Sequence, residues 1–253
     1  MLTREQARHW LDRWDRQQEH YLAVREERFT VIADVVQAMA GRENVLIVDL
    51  GVGPGSLAVR LLDHLPKAQV VGIDADPLLL GLARTGYGDR SGLRLVHHDL
   101  REAGWVDALS LERAPDAIVS TTALHWLTGP QLAAVYRACG GLLPPGGVLV
   151  NGDHFQDGPA RPRLDALTRS LAQCHTERTR PSDGEDWVAW WDAISRAPEL
   201  ADLVAVRRPE GVSHHLHNEP TLDNHLLFLQ EGGFDEVGVV WQHGDNRVLV
   251  AVR

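Results

Sequence analysis

A glycine-rich turn is the first segment of the sequence that could do chemistry. Gly51, Gly53 and Gly55 follow a short apolar, β-branched run, and Asp49 lies two residues before the first of them. Glycines let the backbone approach a ligand closely, and a helix that begins after such a turn presents unpaired N–H groups. A dinucleotide-binding turn, G-x-G-x-x-G, would need its third glycine at position 56, where the sequence has a serine. The spacing therefore speaks against a dinucleotide ligand.

Two carboxylates follow later strand-like runs. Asp74 ends the run 68–74, and Asp99 comes shortly after the run 93–97. A carboxylate at the end of the second strand can accept hydrogen bonds from both hydroxyls of a ribose. Because ligands of open parallel sheets bind beyond the carboxyl ends of the strands, we expect both acids to lie at the same edge as the glycine turn.

The elements that must hold these residues alternate between strands and helices. We predict strands over 45–50, 68–74, 93–97, 116–120 and 147–151, and helices over 56–65, from Pro77 onward and over 131–139. This alternation is typical of βαβ units in a parallel sheet. The runs 234–241 and 247–252 are separated by a short turn, which predicts a hairpin and an antiparallel last strand.

Two regions outside this pattern are predicted to be helical. Residues 3–40 lack proline and carry apolar residues at helical spacing. Residues 155–219 are far more than a connection to the hairpin needs, and we predict helices over 162–176 and 186–206 within them. We therefore divide a single domain, 1–253, into parts: N-terminal helices at 1–41, a ligand-binding core at 42–154 and 220–253, and an inserted helical lid at 155–219.

Composition narrows the class of protein. The 253 residues include 25 Lys and Arg against 35 Asp and Glu, a net charge of −10, which speaks against binding of a nucleic-acid backbone by bulk electrostatics. The charged residues 1–20 lack the apolar segment of a signal peptide, and no apolar run reaches the roughly 20 residues that span a bilayer. Two cysteines cannot build a disulfide framework. We expect a cytoplasmic protein without nucleic-acid or membrane partners, either a monomer or a homodimer.

The motifs together resemble those of a known family. The spacing Asp49-x-Gly51-x-Gly53-x-Gly55 resembles motif I of the class I S-adenosylmethionine-dependent methyltransferases. The segment 116–126 resembles their motif IV, and its ending Ala-Leu-His-Trp is similar to that of trans-aconitate methyltransferase-type small-molecule enzymes. The resemblance extends over about 41–153 and 220–253. It implies a Rossmann-like α/β fold with seven mostly parallel strands in the order 3-2-1-4-5-7-6, of which strand 7 is antiparallel.

The resemblance also implies a cofactor site. S-adenosyl-L-methionine is the implied cofactor, and the implied contacts are Arg28, Asp49, Gly51, Val52, Gly53, Gly55, Asp74, Ala75, Asp99, Leu100, Ser120, Thr121 and His125. In this scheme Asp74 holds the ribose, while Asp99 and Leu100 flank the adenine. Arg28, or alternatively Arg25, pairs with the methionine carboxylate, unless both are ordinary surface arginines.

The implied activity is methyl transfer to a small-molecule acceptor, most often to an oxygen of a carboxylate, phenol or hydroxyl. A base is needed only when the acceptor arrives protonated. His125 and His154 are the candidate bases because each follows a central strand, although the first could instead pack against the cofactor and the second cap a turn. An N- or C-methyltransferase, a methyltransferase of RNA or protein, a nucleotide-binding dehydrogenase and a cofactor-binding protein without transfer remain alternatives.

Two clusters of unusual residues lie in or near the predicted lid. His214, His215, His217 and His225 match no metal signature, so we expect no metal. Trp187, Trp190 and Trp191 would share one helical face. We favour the interpretation that this face anchors the lid to the core over the alternative that it forms an aromatic wall against a planar acceptor.

Overall fold

A seven-stranded sheet lies at the centre of the protein. The computed structural model describes residues 2–19, 22, 24–179, 184–207 and 220–253. The strands are β1 (Leu46–Leu50), β2 (Gln69–Asp74), β3 (Leu93–His97), β4 (Ala117–Thr121), β5 (Val148–His154), β6 (Glu236–His243) and β7 (Asn246–Val252). Their order is 3-2-1-4-5-7-6, with β1 to β5 parallel and β7 antiparallel to both of its neighbours. The predicted fold class and strand order are confirmed.

Helices cover both faces of the sheet. They are α1 (Arg4–Gln18), α2 (Arg25–Met39), α3 (Ser56–His64), α4 (Pro77–Tyr87), α5 (Trp105–Ala108), α6 (Gly129–Leu142), α7 (Pro162–Thr179), α8 (Trp187–Arg196), α9 (Ala201–Val206) and α10 (Leu222–Glu231). Side chains of β1 alternate between two apolar layers, because successive residues of a strand point to opposite faces. Val48 packs with α6 and α10, whereas Ile47 packs with α2 and α3. Burial on both faces explains why every residue of β1 except Asp49 is apolar.

The N-terminal region contains two helices. The helical prediction for 3–40 did not include the break between α1 and α2, where Val24 adopts a left-handed φ of 53°. An ion pair crosses this break, with Arg25 Nη2 lying 2.9 Å from Asp15 Oδ1. Because Arg25 is buried, the pair fixes the start of α2 against the end of α1.

The region 155–219 divides into parts with different neighbours. The single helix predicted over 186–206 is wrong: α8 ends at Arg196, and a short 3-10 turn (Pro198–Leu200) separates it from α9. Proline cannot donate a backbone hydrogen bond, so Pro198 interrupts the helix. α7 lies beside the β6–β7 hairpin, where its His175 ring is 4.6 Å from the ring of His243. α8 instead packs on α1 and α4, through the fully buried Trp190. The division into core and lid stays a prediction.

The described residues include no helix long and apolar enough to cross a membrane.

Candidate active site

The glycine turn connects β1 to α3 in a conformation that favours glycine. Gly51, Gly53 and Gly55 have φ of 70°, 52° and 92°, in the left-handed region that other residues rarely adopt. A β-carbon at Gly51 would lie only 2.3 Å from the β-carbon of Ala123. One at Gly53 would meet nothing nearer than 4.0 Å, the distance to Leu79 Cδ1. The turn therefore packs tightly against the loop after β4 at its first glycine and faces open space at its second.

Hydrogen bonds fix the turn to the end of β2. The N–H groups of Gly51 and Val52 donate to the Ile73 carbonyl, at 2.9 and 3.0 Å. The N–H of Gly53 donates to Asp74 Oδ2 at 2.7 Å, while the Asp76 N–H donates to the other oxygen at 2.8 Å. Asp74 thus already orders the turn before it meets any ligand.

A cavity of about 970 Å³ opens beyond the carboxyl ends of the parallel strands. Ten of the predicted site residues line it: Gly51, Val52, Gly53, Asp74, Ala75, Asp99, Leu100, Thr121, His125 and His154. Three other predicted contacts, Asp49, Gly55 and Ser120, do not line the cavity. Ser120 Oγ donates to the Leu50 carbonyl at 2.8 Å, and a β-carbon at Gly55 would make only an ordinary contact with the ring of Tyr87, at 3.6 Å. The cavity is therefore bounded by the segments that carry the sequence motifs.

Two carboxyl groups with raised pKa values lie beneath and beside the turn. Burial, together with the neighbouring Asp74, raises the pKa of Asp49 to about 8. Among the described residues, neither of its buried oxygens has a hydrogen-bond partner. Burial raises the pKa of Asp74 to about 6, although backbone hydrogen bonds from Asp76 and Gly53 oppose the rise. A positively charged ligand in the cavity would favour ionisation of both groups.

Asp99 is engaged within the chain. Its carboxylate accepts hydrogen bonds from the Arg101 side chain, at 2.9 Å from Nε and 2.6 Å from Nη2, and one from the Arg101 N–H at 2.8 Å. Burial acts to raise the pKa of Asp99, but the bonds from Arg101 outweigh it and hold that pKa below its usual range. An ionised carboxylate has about four acceptor positions, so a ligand amino group would share Asp99 with Arg101.

The predicted arginine, Arg28, does not face the cavity. It is fully buried, where Nη1 donates to Asn246 Oδ1 at 2.9 Å and Nη2 lies 3.4 Å from Thr122 Oγ1. Burial lowers its pKa to about 10, a change that the charge of Asp153 opposes. Gly152 makes room for it, since a β-carbon there would lie 2.9 Å from Arg28 Cδ.

Arg25, the alternative from the sequence, lines the cavity. Its guanidinium is held by Asp15 at 2.9 Å and lies 4.7 Å from the centre of the Phe29 ring. The break before α2 explains the difference between the two arginines, because Arg25 is the first residue of α2 and Arg28 comes one turn later, beneath β5. Of the two predicted partners for a methionine carboxylate, the structure thus brings only Arg25 to the cavity wall.

Each candidate base is paired with an aspartate that the sequence analysis missed. His125 Nδ1 lies 3.0 Å from Asp153 Oδ1 and 3.1 Å from Oδ2. His154 Nδ1 lies 3.0 Å from Asp245 Oδ1. Burial would raise the pKa of Asp153, but the charge and hydrogen bond of His125, with Arg28 and His154, lower it to about 2. Both imidazoles line the cavity with 27% and 33% of their side chains exposed.

Aromatic residues from α1 and α8 form part of the cavity wall. Trp14, Trp187 and Trp191 line it, whereas Trp190 is fully buried against Trp14, with ring centres 4.8 Å apart. The guanidinium of Arg207 lies 3.8 Å from the centre of the Trp191 ring and its Nε 2.8 Å from Asp76 Oδ2. Trp190 thus anchors α8, while Trp187 and Trp191 face the cavity, and the stacking of these two rings on an acceptor stays a prediction.

Of the four histidines grouped in or near the predicted lid, only His225 lies within the described residues. His225 is buried away from the cavity, with Nδ1 2.7 Å from the hydroxyl of Tyr136, and burial lowers its pKa to about 4. His214, His215 and His217 lie outside the described residues. Among the residues that are described, no three His, Cys, Asp or Glu side chains are grouped as metal ligands would be.

Comparisons with known proteins agree with this geometry. A methyltransferase-domain family model matches residues 47–147. Trans-aconitate 2-methyltransferase of Acidovorax sp. (strain JS42) is 34% identical over 188 residues, which cover 74% of this chain and 67% of that protein. The enzyme of the same name from Methylobacterium radiotolerans is 33% identical over 129 residues, which cover 51% of this chain. In that second alignment the chain spans about half of the relative's length, 45%.

A solved structure shares the fold at low sequence identity. Human N-acetylserotonin methyltransferase in complex with S-adenosylmethionine superposes with a TM-score of 0.52 at 15% identity, over 89% of this chain and 52% of that one.

Proposed function

Because this chain belongs to the class I S-adenosylmethionine-dependent methyltransferases, we propose that its cavity binds S-adenosylmethionine for methyl transfer to an oxygen of a small molecule. The observation that carries the proposal is the glycine turn with Asp74 at its side, opening into a cavity large enough for a cofactor and an acceptor.

The residues at the cavity fit a cofactor of this kind. The open space in front of Gly53 lets a ligand approach the backbone. The unpartnered carboxyl oxygens of Asp49 and the raised pKa of Asp74 suit a ligand with positive charge, and S-adenosylmethionine carries an ammonium and a sulfonium group.

The proposed contacts follow from these positions. The turn from Gly51 to Gly53 would lie along the methionine part, and Arg25 would take the place predicted for Arg28 at the methionine carboxylate. Asp74 would hold the ribose. Asp99 and Leu100 would flank the adenine.

The bound cofactor supplies a methyl group made electrophilic by the sulfonium, so the protein has mainly to align the acceptor and exclude water. The chain's own contribution lies in its walls and its bases. His125 and His154 each expose part of an imidazole to the cavity, and either could take a proton from an acceptor hydroxyl.

Replacement of Asp74 tests the cofactor site. Asp74→Ala removes a charged acceptor for the ribose and the anchor of the Gly53 N–H. Hydrogen bonds to charged groups contribute about 1.5–3 kcal/mol each, so calorimetry should show at least roughly a 100-fold loss of S-adenosylmethionine affinity. Asp89→Ala, at an exposed carboxylate that pairs with Arg4, is the matched control and should bind normally. Unchanged affinity in Asp74→Ala would show that the cofactor binds elsewhere.

A further inference from the structure

Two aspartate–histidine pairs present their imidazoles to the cavity. An ionised carboxylate can only accept hydrogen bonds, so the carboxylates of Asp153 and Asp245 place a proton on Nδ1 of His125 and His154. In a neutral imidazole the other ring nitrogen then carries the lone pair. Each ring is therefore held in the tautomer whose Nε2 can take up a proton.

A histidine base of this kind is needed when the acceptor is a phenol and is not needed when it is a carboxylate. A carboxylic acid is already ionised at neutral pH, whereas a phenol, with a pKa near 10, is not. Transfer to a carboxylate oxygen needs no proton acceptor, so that reaction would not use the two oriented imidazoles as bases. They suit an acceptor whose hydroxyl still carries its proton.

The charges of the cavity also disfavour an anionic acceptor. Among the described residues that line it, three are arginines and four are carboxylates: Arg25, Arg101, Arg207, Asp74, Asp76, Asp99 and Glu102. Arg101 is already paired with Asp99 and Arg207 with Asp76, at 2.6 and 2.8 Å, and Arg25 is the arginine proposed to hold the methionine carboxylate. A polycarboxylate would have to displace these pairs to be neutralised.

Aromatic side chains supply the third observation. The Trp126 ring lies beside that of His125, with centres 5.3 Å apart and planes inclined by 35°, and Trp187 and Trp191 line the same cavity. Flat aromatic walls stack on planar ligands.

We propose that the methyl acceptor is an uncharged planar aromatic hydroxyl compound, a phenol, whose proton passes to one of the two histidines held by Asp153 and Asp245. This inference rests on the proposed methyl transfer. As the hydroxyl proton moves to Nε2, the oxygen forms a bond to the methyl carbon. The bond from that carbon to sulfur breaks, its electron pair stays on sulfur, and the imidazolium later releases the proton to water. Asp153 and Asp245 are positioning residues, since they act through the imidazoles.

Two probes of matched shape test the acceptor class. Calorimetry on the protein saturated with S-adenosylhomocysteine should show 2-naphthol binding at least tenfold more tightly than 2-naphthoate, and mass spectrometry should detect 2-methoxynaphthalene in turnover. Tighter binding of the naphthoate, or methylation of trans-aconitate without methylation of 2-naphthol, would overturn the proposal while leaving methyl transfer intact. Failure of S-adenosylmethionine itself to bind would instead refute the proposed function.

A second comparison tests the proton acceptor. One of the variants His154→Gln and His125→Gln should lose about 100-fold in turnover of 2-naphthol. On 4-nitrophenol at pH 8.5, where this acceptor is already ionised, the same variant should lose far less turnover than it loses on 2-naphthol. Replacing the aspartate that holds this histidine, by Asp245→Asn for His154 or Asp153→Asn for His125, should cause the same selective loss of turnover on 2-naphthol. Equal losses on both acceptors would show that the histidines only shape the cavity, and would overturn the assigned role.

Discussion

Gly51 and Gly53 lie two residues apart in the same turn, yet the structure predicts opposite consequences for the same substitution. Both have positive φ, which costs an alanine about 1 kcal/mol. Only at position 51 does the new β-carbon collide, 2.3 Å from that of Ala123, and overpacking of this kind costs about 1–3 kcal/mol. We therefore expect Gly51→Ala to lower the free energy of unfolding by about 3 kcal/mol, and Gly53→Ala by about 1 kcal/mol.

Thermal melts of the ligand-free proteins measure this difference. For a chain of this size 1 kcal/mol shifts Tm by about 2–4 °C, so Gly51→Ala should melt roughly 6–12 °C lower and Gly53→Ala roughly 2–4 °C lower. Calorimetry should show the reverse order of effects on S-adenosylmethionine affinity. The methyl group at position 53 projects into open space where the cofactor would approach the backbone, and we expect at least a tenfold loss there.

A double variant separates the collision from the backbone strain. Ala123→Gly removes the atom that the new methyl group meets, so Gly51→Ala combined with Ala123→Gly should recover the overpacking part and keep only about 1 kcal/mol of destabilisation. If Gly51→Ala melts like Gly53→Ala, or if Ala123→Gly brings no recovery, the tight packing of the turn against the loop after β4 is refuted.

Two further predictions concern buried polar groups away from the cavity. Arg247 and Asp157 form a buried ion pair at 2.6 Å, so Asp157→Ala should lower the free energy of unfolding, measured with urea, by about 3–5 kcal/mol. Adding Arg247→Met should restore part of this stability, and no restoration would contradict the cost assigned to an unpaired buried charge. Burial lowers the pKa of His225 to about 4, so as pH falls this histidine takes up a proton in the unfolded chain before it does so in the folded one. The free energy of unfolding should therefore drop by roughly 3 kcal/mol between pH 6.5 and 4. His225→Gln should flatten this part of the pH profile, and an unchanged slope would assign it to other groups.

The sequence predicted the strands and site residues whose positions depend on local patterns. β1 and β3 are where they were predicted, because short apolar runs bounded by turns have few other structures available. Asp74 lies at the cavity because strand ends and ligand sites coincide in this architecture. α5 and α10 were not predicted; the former is only Trp105–Ala108, too short to show a helical period.

Contacts between distant segments could not be predicted in the same way. Asp153 pairs with His125 instead of its neighbour His154 because successive side chains of β5 point to opposite faces. Asp245 reaches His154 only through the antiparallel pairing of β5 with β7, in which His154 faces Asn246. The choice between Arg25 and Arg28 depended on where α2 begins, and nothing in the local spacing marks Val24 as the break.

The strand order also constrains how the last two strands fold. β6 precedes β7 in the chain but pairs, within the described residues, with β7 alone, which lies between it and β5. β6 therefore has no strand to pair with until residues 246–252 fold beside it. Val239 and Val240 remain exposed even in the finished fold, so slow folding of β7 would prolong the exposure of an unpaired apolar edge and favour aggregation.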